Sequence, residues 1–231
     1  MTKEEILSKD RYDFEDFKAI VEYLRAPDGC PWDREQTHES MKQNLIEECY
    51  EVIEAIDNKD TDNLKEELGD VLLQVVMHSQ ISKENHEFAI EDVINGVAEK
   101  LVRRHPHVFG TEGAAENAAA GLSRWESIKK EEKQGKSDAL TPLKSVPKAF
   151  PACVRAQKVL KKASKEYGNS QNADEVIKDL KNTLDRLEKS GKNTDDLQNL
   201  LLQSVNLTRI LEENAENILT NGVEKFISMY E

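Results

Sequence analysis

Two short segments carry carboxylates at a spacing that can hold a metal ion: Ile46-Glu47-Glu48-Cys49-Tyr50-Glu51-Val52 and Lys65-Glu66-Glu67-Leu68-Gly69-Asp70-Val71. Glu48 and Glu51 are three residues apart, as are Glu67 and Asp70. On a helix that spacing puts both side chains on neighbouring surface one turn apart. Two such helices packed antiparallel aim four carboxylates into one volume. There they repel one another and lose hydration unless a cation neutralises them. The ligands are all hard oxygens, with no His or Cys in the pairs, which favours Mg²⁺, with Mn²⁺ next, over Zn²⁺. The plainer alternative is a pair of acidic, solvated helix faces.

The elements around the pairs bear on that choice. Phe14, Phe17, Ile20, Val21 and Leu24 recur at helical spacing and predict a helix over 13–25, ended by Pro27, Asp28 and Gly29. A loop, Cys30-Pro31-Trp32-Asp33, follows. The next helix is expected over about 39–57, capped by Thr37 or Ser40, and Asn58 to Asp62 is a polar turn. A turn that short makes antiparallel neighbours of the helices it joins. A third helix is expected over about 62–84 and a fourth over about 88–104, stopped by Pro106. In helix 39–57 the apolar stripe reads Met41, Leu45, Cys49, Val52 and Ile56, with Glu48 at its edge and Glu51 just outside. Asp70 directly precedes Val71 to Met77, a run broken only by Gln74, so the third helix is expected to be buried. Gly69 suits a place where another backbone or a ligand approaches closely.

Lys100, Arg103 and Arg104 form a basic cluster at a helix end, beside His105 and His107. Either they neutralise phosphate oxygens, or they match the negative end of the helix dipole and nearby acids. Trp32 either stacks on a base or anchors its loop in the core. Trp125 reads as a packing anchor, and Cys30 and Cys49 as small packing residues without an activating partner.

Composition limits the partners. The chain has 231 residues, 32 Lys+Arg against 45 Asp+Glu, and a net charge of -13, which argues against nucleic acid and anionic membranes. Ten Gly, six Pro and 6% aromatics are few, and point to an all-α fold. Cys30, Cys49 and Cys153 show no C-x-x-C spacing, as expected of a reduced, cytoplasmic chain. Met1 to Asp10 lacks an apolar signal core, and the longest apolar stretch is too short to span a bilayer.

At the acid pairs a resemblance becomes specific. ExxE, fifteen residues and then ExxD is similar to the metal-binding pattern of the all-α nucleotide pyrophosphohydrolases. Cys30-Pro31-Trp32-Asp33-Arg34-Glu35-Gln36-Thr37, Arg103-Arg104-His105-Pro106-His107-Val108-Phe109 and Arg124-Trp125-Glu126-Ser127-Ile128-Lys129-Lys130 resemble the MazG branch of that superfamily. The resemblance implies an all-helical domain that forms a homodimer. It also implies Mg²⁺-dependent cleavage of a nucleoside triphosphate to monophosphate and pyrophosphate, by water activated at the metal and attacking the α-phosphorus. Glu48, Glu51, Glu67 and Asp70 would hold Mg²⁺, and Glu47 would help position the metal or the water. Lys100 and Arg104 match the basic positions that contact phosphates in this family. The alternative is a non-catalytic helical scaffold that binds nucleotides or protein partners.

The second half reads as a worn copy of the first. Leu68 to Val76 can be laid on Leu197 to Val205, an offset of 129. Chance likeness between leucine-rich helices is the alternative. The expected organisation is a catalytic domain at 1–133, a linker at 134–147 and a degenerate MazG-like helical domain at 148–231. In that copy Glu67 and Asp70 correspond to Asp196 and Asn199, and the first acid pair falls on Asp179 and Asn182. Lys100 corresponds to Lys225, while Arg104 falls near Met229.

Overall fold

The computed structural model describes residues 2–111, 113–134, 142–168, 170–191 and 193–230. Helices supply the regular structure, with no strand among the described residues. The chain divides into two compact units, Met1–Gly135 and Lys136–Glu231. Residues 135–141 of the expected linker lie outside the described residues.

The first unit contains α1 (Lys3–Leu7), α2 (Phe14–Arg25), α3 (Pro31–Glu35), α4 (Lys42–Asp57), α5 (Thr61–Glu84), α6 (Ile90–Arg104), α7 (Pro106–Phe109) and α8 (Ala118–Gln134). Asp13 caps α2 by accepting from the Asp16 N–H at 3.0 Å, and Asp16 returns the bond to the Asp13 N–H. The α4–α5 connection is tight because Lys59 takes φ +57°. Asp60 then accepts from the N–H groups of Asp62 and Asn63.

Two local expectations need correction. Cys30 to Asp33 is not all loop: Pro31 opens the short α3, since its fixed φ and missing N–H suit a first helical position. Pro106 likewise opens α7 after stopping α6. Thr37 and Ser40 do not cap α4. They bond to each other's N–H in the turn before it, and the cap position falls to Met41.

The core draws on one end of the hairpin. Val21 of α2, Met41, Val76, Met77 and Ile81 of α5, and Ile90 of α6 are buried together, with Phe14, Phe17 and Leu73 packed against them. The other end, where the acid pairs lie, is less covered. On α5, Leu72 and Val75 are exposed while Gln74 is buried, so the run 71–77 is two-faced rather than buried all round. A Cβ at Gly69 would meet nothing within 4 Å among the described residues, so no close approach is made there within one chain.

The second unit contains α9 (Ala152–Tyr167), α10 (Ala173–Ser190), α11 (Thr194–Ile210) and α12 (Ala215–Ile227). Gly168 and Gly191 take positive φ at the ends of α9 and α10, as expected of helix breaks. Helices α10 and α11 pack against each other, and α9 and α12 against that pair. No helix among the described residues is long and apolar enough to cross a membrane.

Candidate metal centre

Helices α4 and α5 run antiparallel, and their pairings show the register. Met41 meets the core residues of α5, Glu48 faces Asp70, and Glu51 faces Glu67 nearer the turn. Ahead of α4, His38 reaches His78 and Ser82 of α5. One ligand oxygen each from Glu48, Glu67 and Asp70 lies within 4.8 Å of the others. Two opposed oxygens about 2.1 Å from Mg²⁺ stand about 4.2 Å apart, so the donor set suits such an ion. Glu51 is exposed at the rim, where it acts on both Glu48 and Glu67.

Burial of α4 differs in rotation from the expected stripe. With its cap Met41, its covered positions are Asn44, Leu45, Glu48, Val52 and Ala55, whereas Cys49 and Ile56 are exposed. Glu48 is therefore within the covered face rather than at its edge. The reason is that, among the described residues, α4 packs chiefly on α5, while Ile46, Tyr50, Ile53 and Ile56 are exposed.

The electrostatics fit a centre short of positive charge. Loss of hydration, then the charges of Asp70, Glu51 and Glu67, push the Glu48 carboxyl up. Loss of hydration, then Glu51 and Asp70, push Glu67 up. No ion pair reaches Glu48, Glu51, Glu67 or Asp70 among the described residues. A divalent cation supplies what this donor set lacks.

The other expected site residues are not among the ligand atoms that converge with Glu48, Glu67 and Asp70. Glu47 is exposed and accepts from Gln43 Nε2 at 3.2 Å. Trp32 is 60% exposed on α3, so it is not a core anchor. Lys100 is exposed on α6 with no ion-pair partner among the described residues. Arg103 and Arg104 lie at the end of α6, both bonded to Glu132 of α8. Trp125 lies beside Arg104, with 5.3 Å between the guanidinium carbon and the ring centre. The Glu132 contact has no sequence signal, because 28 residues separate it from Arg104.

A chain of polar groups also escaped the sequence reading. His38 Nδ1 lies 2.7 Å from His78 Nδ1, and Ser82 Oγ lies 3.2 Å from His38 Nε2. The order Ser, His, His looks like a nucleophile with its base, but Ser82 is fully buried and no substrate reaches it. The chain ties the segment before α4 onto α5.

In the second unit the hairpin α10–α11 carries a different set at the same place. Arg186 donates from Nε (2.9 Å) and Nη2 (2.7 Å) to Asp196 Oδ1, and Asn199 Nδ2 donates to Thr183 Oγ1 at 3.0 Å. With Asp196 and Asn199 matched to Glu67 and Asp70, the facing positions are Arg186 and Thr183. Arg186 and Thr183 thus stand opposite Asp196 and Asn199 as Glu51 and Glu48 stand opposite Glu67 and Asp70. The two turns differ in length: fifteen residues lie between Glu51 and Glu67, but nine between Arg186 and Asp196. Asp179 instead accepts from Gln171 Nε2 at 2.9 Å.

Residues 36–109 match the MazG nucleotide pyrophosphohydrolase domain. That span holds the four carboxylates, Glu47, Lys100, Arg103 and Arg104, and leaves out Trp32 and Glu132. The chain is 42% identical over 94% of its length, and 84% of the relative's, to the nucleoside triphosphate pyrophosphohydrolase/pyrophosphatase MazG of Thermotoga maritima. It is 37% identical over 90% of its length, and 81% of the relative's, to the nucleoside triphosphate pyrophosphohydrolase of Escherichia coli strain K12. It is also 52% identical over 65% of its length to the uncharacterized protein YabN of Bacillus subtilis, of which it covers 30%.

Proposed function

The chain belongs to the MazG family of nucleoside triphosphate pyrophosphohydrolases, and from that premise we propose a Mg²⁺-dependent reaction at the α4–α5 carboxylates. The products are a nucleoside monophosphate and pyrophosphate, with water attacking the α-phosphorus. The observation that carries this reading is the convergence of Glu48, Glu67 and Asp70, with the Glu48 and Glu67 carboxyls raised and no cation paired with the three among the described residues.

Glu48, Glu51, Glu67 and Asp70 hold Mg²⁺, and Mn²⁺ is the natural substitute. When bound, the metal neutralises phosphate charge and lowers the pKa of water. Glu47, exposed beside Glu48, accepts a proton from the attacking water or orients it. Lys100, Arg103 and Arg104 neutralise the oxygens that become pyrophosphate. Trp32, open to solvent, offers a face for the base. Hydrolysis in ¹⁸O-labelled water tests the point of attack. We expect Mg²⁺-dependent turnover with the label in the monophosphate. Label in pyrophosphate, or equal turnover in excess EDTA, refutes the mechanism.

The active form is a homodimer in this reading. Ile46, Tyr50 and Ile53 of α4 and Leu68, Leu72 and Val75 of α5 are all exposed on the hairpin that carries the acids. Such an apolar face is what a second copy covers. Ile53→Glu is expected to shift sedimentation from dimer to monomer and to lower turnover. An unchanged sedimentation coefficient rules this face out.

The second unit is a degenerate copy that holds no metal, because Arg186 already supplies a cation to Asp196. The three free cysteines agree with a reducing, cytoplasmic setting.

A further inference from the structure

The arginines assigned to the substrate's phosphates already hold an anion. Arg104 donates to both oxygens of Glu132, from Nη2 at 2.6 Å and from Nε at 3.2 and 3.3 Å. Arg103 Nε donates to the same carboxylate at 2.8 Å. Two guanidinium groups converging on a pair of oxygens is the arrangement that also binds a phosphate. The contact is open to solvent on the Arg103 side only: the Arg103 side chain is 56% exposed, Glu132 21% and Arg104 13%. Arg104 and then Arg103 hold the Glu132 carboxyl down at about 2, so it is an anion throughout the neutral range. Beside it Arg104 and Lys129 both lie over the Trp125 ring, a contact that does not depend on Glu132.

We propose that Glu132 is an internal mimic of the substrate's phosphate: it occupies Arg103 and Arg104 in the free protein and gives them up to the incoming polyphosphate. This rests on the reading that these arginines contact phosphate. Two features favour exchange over a permanent tie. Arg103, 56% exposed, leaves one side of the carboxylate open to water, where ion pairs are weakened and screened. A triphosphate brings more negative oxygens than one carboxylate and, with the metal, a second anchor. The consequence is a substrate affinity lower than the arginines alone would give, and a fixed selection against weak single anions.

Glu132→Gln in the full chain tests this, because the amide keeps the volume and one acceptor oxygen while removing the charge. The probes are inorganic tripolyphosphate with Mg²⁺ by calorimetry and KM for a nucleoside triphosphate. Both the dissociation constant and KM are expected to fall by about twofold to fivefold, the range set by a partly exposed pair. No rise in kcat is expected. The gain should vanish in Arg104→Gln/Glu132→Gln, which a purely structural role of Glu132 does not predict. If Arg104→Gln alone leaves tripolyphosphate binding unchanged, the phosphate reading of the arginines fails. If Arg104→Gln weakens binding but Glu132→Gln weakens it too, or leaves it unchanged, Glu132 only positions the arginines and the mimic is overturned.

Discussion

Asp70→Asn is expected to lower pyrophosphate release by on the order of a thousandfold, about 4 kcal/mol in the barrier, with the helical circular dichroism unchanged. Asp70 contributes an oxygen to the cluster with Glu48 and Glu67, and its charge is one cause of the raised Glu48 carboxyl. An amide keeps the shape and loses the charge that makes a hard-oxygen site strong. The fold should survive, because Asp70 is only half-buried and lies away from the core of Val21, Met41, Val76, Met77, Ile81 and Ile90. Stability should move in the opposite direction from activity. Glu48 and Glu67 are both raised from 4.5, so the stability they contribute is fully present below that value and is lost as pH rises through the folded values. The metal-free protein thus carries a repulsive centre at neutral pH. Glu67→Gln relieves it: the metal-free melting temperature at pH 7 should rise above that of the parent, and added Mg²⁺ should no longer raise it. The gap between the two metal-free proteins should close as the pH falls toward 4. Thermal melts with EDTA and with Mg²⁺ read all of this. Full turnover in Asp70→Asn, or an undiminished Mg²⁺ shift in Glu67→Gln, sinks the assignment of the centre.

The same charges explain how far the sequence could be read. The acid pairs were legible because both occur at helical spacing on either side of a turn of Asn, Lys and Asp, and the turn is made as that pattern requires. The rotation of α4 was not, because a stripe of Leu, Cys, Val and Ile does not say which partner covers it. Ile46, Tyr50, Ile53 and Ile56 complete a second apolar face that α5 does not reach. Gln74 reads as a flaw in an apolar run, yet it points inward while Leu72 and Val75 point out. Glu132 was illegible for another reason. It lies in a Lys- and Glu-rich segment where any acid looks solvated, and only the fold brings it to Arg103 and Arg104. The second hairpin was half legible. The Leu-rich pattern of α11 predicts a helix, but a turn six residues shorter than the first hairpin's carries no motif that says which residues of α10 face it. Side-chain pairings across the hairpin recover what alignment of one strand of sequence cannot.

Arg186→Met is expected to destabilise the second unit by about 2–4 kcal/mol, the cost of leaving a buried carboxylate without its partner. Asp196 is 7% exposed; its Oδ1 takes two bonds from Arg186, and its Oδ2 takes one from Asn193 Nδ2 at 3.1 Å. The guanidinium also donates to Thr183 Oγ1 at 3.1 Å, a fully buried hydroxyl that accepts from Asn199 as well. The Arg186 side chain is itself half in water, which keeps the loss toward the lower end of that range. Asp196→Asn in the same chain removes the stranded charge, so the double variant should regain more than half of the stability. This non-additivity separates a counter-ion from a mere packing residue. Amide exchange in α10 and α11 of the full chain localises the effect, and Mg²⁺ should not reverse it. Pyrophosphohydrolase turnover should be retained, since the carboxylates of the first unit are untouched. Strict additivity of the two substitutions, or rescue of Arg186→Met by Mg²⁺, counts against a built-in cation. The first case leaves Asp196 with no need of Arg186, and the second returns the hairpin to the metal-binding chemistry proposed for Glu48, Glu51, Glu67 and Asp70.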